Sequence, residues 1–157
     1  MVICGGGVRY SEAGQALVDF CEKFNIPYGE TQAGKSATFS SNRYNMGGVG
    51  VTGNSSGNDV AKIADCIIGI GTRFSDFTTA SKSLYPEKKI VTINTSRFDA
   101  YKLGATKAVG DAKATILKLT EVLSAKGYKS EYTDEFDNAK KAWNDEMDML
   151  SSYTYDE

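Results

Sequence analysis

The sequence predicts an α/β fold with a parallel sheet. Three observations lead there. Short apolar runs alternate along the chain with amphipathic stretches of helical spacing. Two of those runs end in glycine-rich turns, Gly5-Gly6-Gly7 and Gly69-Ile70-Gly71. The 157 residues, 41% hydrophobic and 24% charged, suffice for one domain with a sizeable core.

Val2–Cys4 starts the first strand. A helix is expected from about Ser11 to Phe24, with Ser11 as N-cap and Ala13, Leu17, Phe20, Cys21 and Phe24 on one face. Asn25-Ile26-Pro27 ends it, and residues 26–31 read as a second strand. Residues 31–58 are mostly loop by composition, with a short strand near Tyr44–Gly50; long loops in a compact domain tend to be functional or to meet a partner. Ser55 or Ser56 is expected to cap a helix through Val60–Ala64. Residues 65–74 form a buried strand and its turn, and residues 75–86 a loop with a short helix. KKIVTINTS and Ala108-Val109-Gly110 supply two more strands. Asp111 caps a helix whose Ile116, Leu119, Thr120 and Leu123 share a face, with Gly127 closing it.

Composition changes near residue 129. Residues 1–130 carry eleven acids and sixteen bases, and hold all sixteen glycines; residues 131–157 carry nine acids and two lysines. In that acidic tail Phe136, Ala139, Trp143, Met147 and Leu150 form a narrow apolar stripe. It suits either a helix packed back on the body or a linker to another domain. A net +5 spread along the body is too weak for nucleic-acid binding. No run suits a membrane span or a signal peptide. Cys4, Cys21 and Cys66 lie in apolar stretches, as expected of reduced thiols in a cytoplasmic protein. The absence of histidine excludes Ser-His and Cys-His nucleophiles.

A strand, a glycine turn and a helix N-terminus together make an anion site, and Gly5-Gly6-Gly7 has that placement. The dinucleotide fingerprint is incomplete, because Tyr10 stands where its last glycine belongs. Glu30, at the end of the second strand, is a candidate ribose-binding acid for NAD. Thr72, Arg73 and the Asn94-Thr95-Ser96 turn should reach the same edge, where arginine suits phosphate or carboxylate. Gly34-Lys35-Ser36 resembles part of a P-loop but lacks its first glycine. The competing reading makes the glycine turns permissive corners, with Arg73 tying loops together.

ETQAGK, GVTGNSSGN, IIGIGTRFSDFTT, VTIN and AVGDAKATI, in this order, resemble the central domain of thiamine-diphosphate-dependent enzymes, the acetolactate synthase and pyruvate oxidase group. GGGVRYSEA, ETQAGK, GVTG and GTRFSDFTT are most similar to the ring-opening hydrolase branch of myo-inositol catabolism. The resemblance covers residues 1–130 and makes 131–157 a helical linker or tail. It implies a three-layer, Rossmann-like domain with a six-stranded parallel sheet. It also implies a homo-oligomeric parent whose N- and C-terminal domains bind thiamine diphosphate and magnesium. Gly110-Asp111-Ala112 departs from that group's Gly-Asp-Gly metal motif, so no catalytic or metal-binding residue is expected here.

In some members the central domain binds FAD or ADP. Carried over, the candidates are Gly5, Gly6, Gly7, Thr52, Gly53, Gly71, Thr72, Arg73, Asn94 and Asp111. Asn94 replaces an acid of the FAD-binding pattern, and Phe74–Thr78 lacks its second arginine. Two lost charge-assisted hydrogen bonds, about 1.5–3 kcal/mol each, weaken such a site by orders of magnitude. The expectation is a scaffold with a vestigial crevice and no cofactor of its own. The alternatives are a free-standing FAD, ADP or NAD module, or a fragment of an acetolactate-synthase-type enzyme.

Overall fold

The structure, a computed structural model, describes residues 1–152. Six strands run β1 (Val2–Cys4), β2 (Tyr28–Glu30), β3 (Asn45–Gly48), β4 (Cys66–Ile70), β5 (Lys89–Asn94) and β6 (Thr106–Val109). They form one parallel sheet in the order β3-β2-β1-β4-β5-β6. This is the doubly wound order, with β1 central and strand succession reversing between β1 and β4. β1 pairs Cys4 with Glu30 on one side and with Ile70 on the other.

Alternation along β1 sends Val2 and Cys4 to one face and Met1 and Ile3 to the other, all buried. The first face is covered by α1 (Gly6–Tyr10), α2 (Gly14–Phe24) and α6 (Ala112–Ala125). The second is covered by α3 (Ser55–Ile63) and α7 (Glu135–Ser151). Single turns α4 (Asp76–Thr79) and α5 (Arg97–Ala100) lie in the loops after β4 and β5. The result is the expected three-layer, Rossmann-like α/β domain.

Two helix starts differ from expectation. The helix expected from Ser11 is interrupted, because Glu12 adopts left-handed backbone (φ 50°). Ser11 therefore closes α1, its hydroxyl donating to the Gly7 carbonyl at 2.6 Å, and α2 begins after Ala13 with no side-chain cap. At α3 the cap is Asn54, whose Oδ1 accepts from Gly57 N–H at 2.9 Å; Ser56 instead donates to Met46 O at 2.7 Å. Asp111 caps α6 as expected, and Gly127 follows its end with φ 63°.

The tail helix lies on the body. Phe136 is fully buried between Tyr44 and Tyr132, at ring distances of 5.4 and 5.8 Å. Ala139, Trp143 and Met147 are half-buried, whereas Leu150 is exposed. Arg43 grips Asp137 through Nε (2.9 Å) and Nη2 (2.5 Å), and Lys140 donates to Asn42 O. Residues 153–157 of the acidic tail lie outside the described residues.

Candidate functional site

The C-terminal ends of β1 and β4 define the switch point where ligands bind in doubly wound sheets. There the two glycine turns interlock. Gly5 N–H donates to Ile70 O at 2.9 Å and Gly7 N–H to Gly71 O at 3.0 Å. A Cβ on Gly7 would sit 2.6 Å from Gly71 Cα, and one on Gly5 2.3 Å from Gly71 O. Gly71 is itself left-handed, with φ 62°. Glycine is required here so that two backbones can touch. Two amides of the expected phosphate cradle are thereby committed to the neighbouring turn. The helix that follows is only five residues long and offers little dipole.

The junction splits the strand-end crevice in two. One cleft, about 590 Å³, is lined by Gly6, Gly7, Thr52, Gly71, Thr72 and Arg73, with Tyr10 and Phe77 at its border. The other, about 400 Å³, is lined by Gly7, Gly71, Asn94 and Asp111. Gly5 and Gly53 line neither; a Cβ on Gly53 would lie 2.7 Å from Gly48 O, so that glycine serves packing.

Most polar candidates are bonded within the domain. Asn94 donates to Thr72 O at 2.9 Å and accepts from Ser96 N–H at 2.9 Å. Asp111 accepts from Ala114 N–H at 2.9 Å as the α6 cap. Buried Thr72 accepts from Phe74 N–H at 3.3 Å, and Thr52 accepts from Gln32 at 2.5 Å. The Arg73 guanidinium is exposed and has no partner among the described residues, so it remains available to an anion. Its carbonyl accepts from Lys102 at 3.1 Å. Arg73 does not tie two loops together through its side chain.

Glu30 and Lys35 face elsewhere. Both line a third cleft, between β2, β3 and α7, rather than either cleft at the glycine junction. That cleft adjoins the larger junction cleft, the two sharing Thr31, Gln32, Val49 and Thr52. Lys35 sits in a series of turns with no helix opening behind it, so the P-loop frame is absent. Burial raises the Glu30 carboxyl above the usual range, opposed by hydrogen bonds from Thr38 and Asn45 and by the charge of Lys35. Gln32, Trp143 and Asn144 also line this cleft, and no chemical motif in the sequence marks them. The apolar stripe of α7 was the one signal bringing Trp143 towards the body.

The residues present do not suit FAD: the acid is an asparagine whose amide is committed, and a single arginine faces the cleft. Nor do they suit a metal-bound diphosphate. No group of three or more His, Cys, Asp or Glu side chains converges among the described residues, and Asp111 is a helix cap. Cys4 and Cys21 are buried and Cys66 is half-buried, all free. Burial pushes Cys4 up to about 12, with Glu30 adding to the rise. Its thiol is therefore unreactive. No helix among the described residues is long and apolar enough to cross a membrane.

A doubly wound parallel sheet with glycine turns interlocked at its switch point is the frame in which the comparison with known proteins falls. Residues 1–119 match the model of the thiamine pyrophosphate enzyme central domain, and the chain belongs to that family. Across its whole length it is 59% identical over 159 residues to a 3D-(3,5/4)-trihydroxycyclohexane-1,2-dione hydrolase of Clostridium perfringens. It is 57% identical over 159 residues to one of Clostridium botulinum, and 55% identical over 157 residues to one of Geobacillus thermodenitrificans. The chain spans about a quarter of the length of these curated relatives, 25%, 25% and 24% respectively.

Proposed function

We propose that this chain is the central, scaffolding domain of a thiamine-diphosphate-dependent hydrolase that opens the ring of 3D-(3,5/4)-trihydroxycyclohexane-1,2-dione. The body, 1–130, holds in position two flanking domains that bind thiamine diphosphate and magnesium. Residues 131–157 lead towards the next of them. The parent is a cytoplasmic homo-oligomer acting on a small molecule, with neither nucleic acid nor membrane as partner. The chain alone carries no catalytic residue and turns over no substrate. Its strand-end crevice is vestigial towards FAD and ADP.

One observation carries this reading: the strand-end groups that a nucleotide would need are bonded inside the domain. Gly5 and Gly7 N–H serve the β4 turn, Asn94 serves Thr72 and Ser96, and Asp111 serves α6. The hydrolase assignment is supported by 59% identity along the whole chain. Calorimetric titration with FAD, with ADP, and with thiamine diphosphate plus magnesium should give no binding heat. Assays of the isolated chain with the dione, thiamine diphosphate and magnesium should show no hydrolysis. Stoichiometric binding or measurable turnover would overturn the scaffold reading.

A second reading, a nucleotide-binding module, is favoured by one feature, the unpartnered Arg73 guanidinium over the larger cleft. It requires a thermal shift with FAD, ADP or NAD that disappears in Arg73→Ala.

A further inference from the structure

Parallel sheets are normally covered on both faces. Here one end of one face is nearly bare. On the face that carries Ile3, α3 and α7 lie over the β3 side, whereas the β6 end is met by α5, a single turn. β6 is the last strand of the sheet, with β5 as its one neighbour. Lys107 and Val109 point to this face, because Ala108 between them joins the opposite core. Both are exposed, and so are Phe98 (79%) and Tyr101 (54%) at the single turn. Together with Arg97 and Lys102, the two rings line an open hollow of about 570 Å³.

Charge decides what can cover this patch. Lys102 is spent, donating to Asp99 at 2.7 Å and to Arg73 O at 3.1 Å. Asp99 is buried and neutralised by that pair. Arg97 and Lys107 have no ion pair among the described residues. The Lys107 ammonium lies 4.1 Å from the centre of the Tyr101 ring. The patch is therefore apolar and cationic. Two copies meeting through it about a two-fold axis would set cation against cation. Its occupant carries acids beside apolar side chains.

The chain itself has such a surface. Leu150 continues the stripe of Phe136, Trp143 and Met147 yet is exposed, so α7 runs beyond the body on which it packs. Met149 beside it is also exposed. Glu146 and Asp148 flank the two, exposed and without an ion pair among the described residues. Within one molecule α7 packs on α3, and both its end and the β6 patch stay open.

We propose that the α7 end of one copy docks on the α5–β6 patch of another, supplying the helix that this end of the sheet lacks. Met149 and Leu150 meet Phe98, Tyr101 and Val109, while Glu146 and Asp148 face Arg97 and Lys107. The contact is head-to-tail, so association continues past a dimer or closes as a ring. It needs neither a cofactor nor the flanking domains, so its failure leaves the scaffold reading standing.

Sedimentation equilibrium of the 157-residue chain tests it. At up to about 1 mM protein in about 50 mM sodium chloride, the chain should associate beyond a dimer or into a ring, about tenfold or more weakly in about 500 mM. Phe98→Ser removes the patch and Met149→Ser the helix end, and each alone should weaken self-association about tenfold or more. Mixed in equal amounts, the two variants should form a complex of two that grows no further, one supplying an intact helix end and the other an intact patch. Both positions are exposed, so the variants keep the fold, which circular dichroism checks. A chain that stays monomeric, an association indifferent to salt or to either substitution, or a mixture that stays monomeric overturns the proposal.

Discussion

Gly71 and Gly127 have nearly the same backbone, φ 62° and 63°, in opposite surroundings. Around Gly127 nothing lies within 4 Å of a would-be Cβ; at Gly71 that atom would be 2.5 Å from Gly7 Cα. Gly127→Ala should cost about 1–2 kcal/mol, the left-handed penalty alone. Gly71→Ala should cost at least about 3 kcal/mol, because overpacking of backbone on backbone is added to it. Denaturant unfolding of the two variants measures the difference. The glycine turns themselves were legible in the sequence as corners after apolar runs. Their contact was not, since Gly7 and Gly71 are far apart along the chain and no local pattern reports a tertiary touch.

Glu30 supplies a second test at this scale. Its folded carboxyl titrates at higher pH than the unfolded one, by burial, with Thr38, Asn45 and Lys35 opposing the shift. Between the two pKa values the folded chain keeps a proton that the unfolded chain has released. Stability contributed by this group is therefore present below the unfolded pKa and lost as pH rises through the folded one. The stability of Glu30→Gln relative to the parent should increase between about pH 4 and about pH 7. Urea unfolding at both values would show it, and a difference that stays flat would refute the shift.

Among the elements, β1, β4, α2 and α6 were legible because their apolar periods agree with their burial. The break between α1 and α2 was not, because Glu12 turns left-handed to let Gly14 approach Ala37 O, where a Cβ would lie 2.2 Å away. Asn54, Ser55 and Ser56 are all good N-caps, and spacing could not choose among them. Met46 O claims Ser56, and Asn54 takes the cap. The docking of α7 rests on Phe136 rather than on its visible ion pair. Phe136→Ala should cost about 3–5 kcal/mol. Arg43→Ala, at an exposed pair, should cost no more than about 1 kcal/mol plus the ring contacts of the guanidinium. Trp143 fluorescence during unfolding would then separate early in Phe136→Ala, as the helix leaves before the sheet.

At the scale of the molecule, alternating strands and helices were enough for the parallel sheet, and the resemblance supplied its six strands. The candidate site was legible only as a list of positions. Gly6, Gly7, Thr52, Gly71, Thr72 and Arg73 do meet in one cleft, and Gly7, Gly71, Asn94 and Asp111 in another. Which donors are consumed inside the domain depends on strand order, which a linear reading does not contain. Glu30 shows the same limit: its position at a strand end was clear, but α7, more than a hundred residues later, helps to build the cleft it lines.

Placing β1 at the centre has a consequence for how the chain is made. Its apolar Val2-Ile3-Cys4 leaves the ribosome well before its partner β4, which begins only at Cys66. At about 5–20 residues per second, that edge waits several seconds without its neighbour. An unpaired apolar strand edge is adhesive towards any other extended chain. Nascent chains of this protein should therefore depend on a holding chaperone until β4 emerges, and much less once the sheet has closed on both sides of β1.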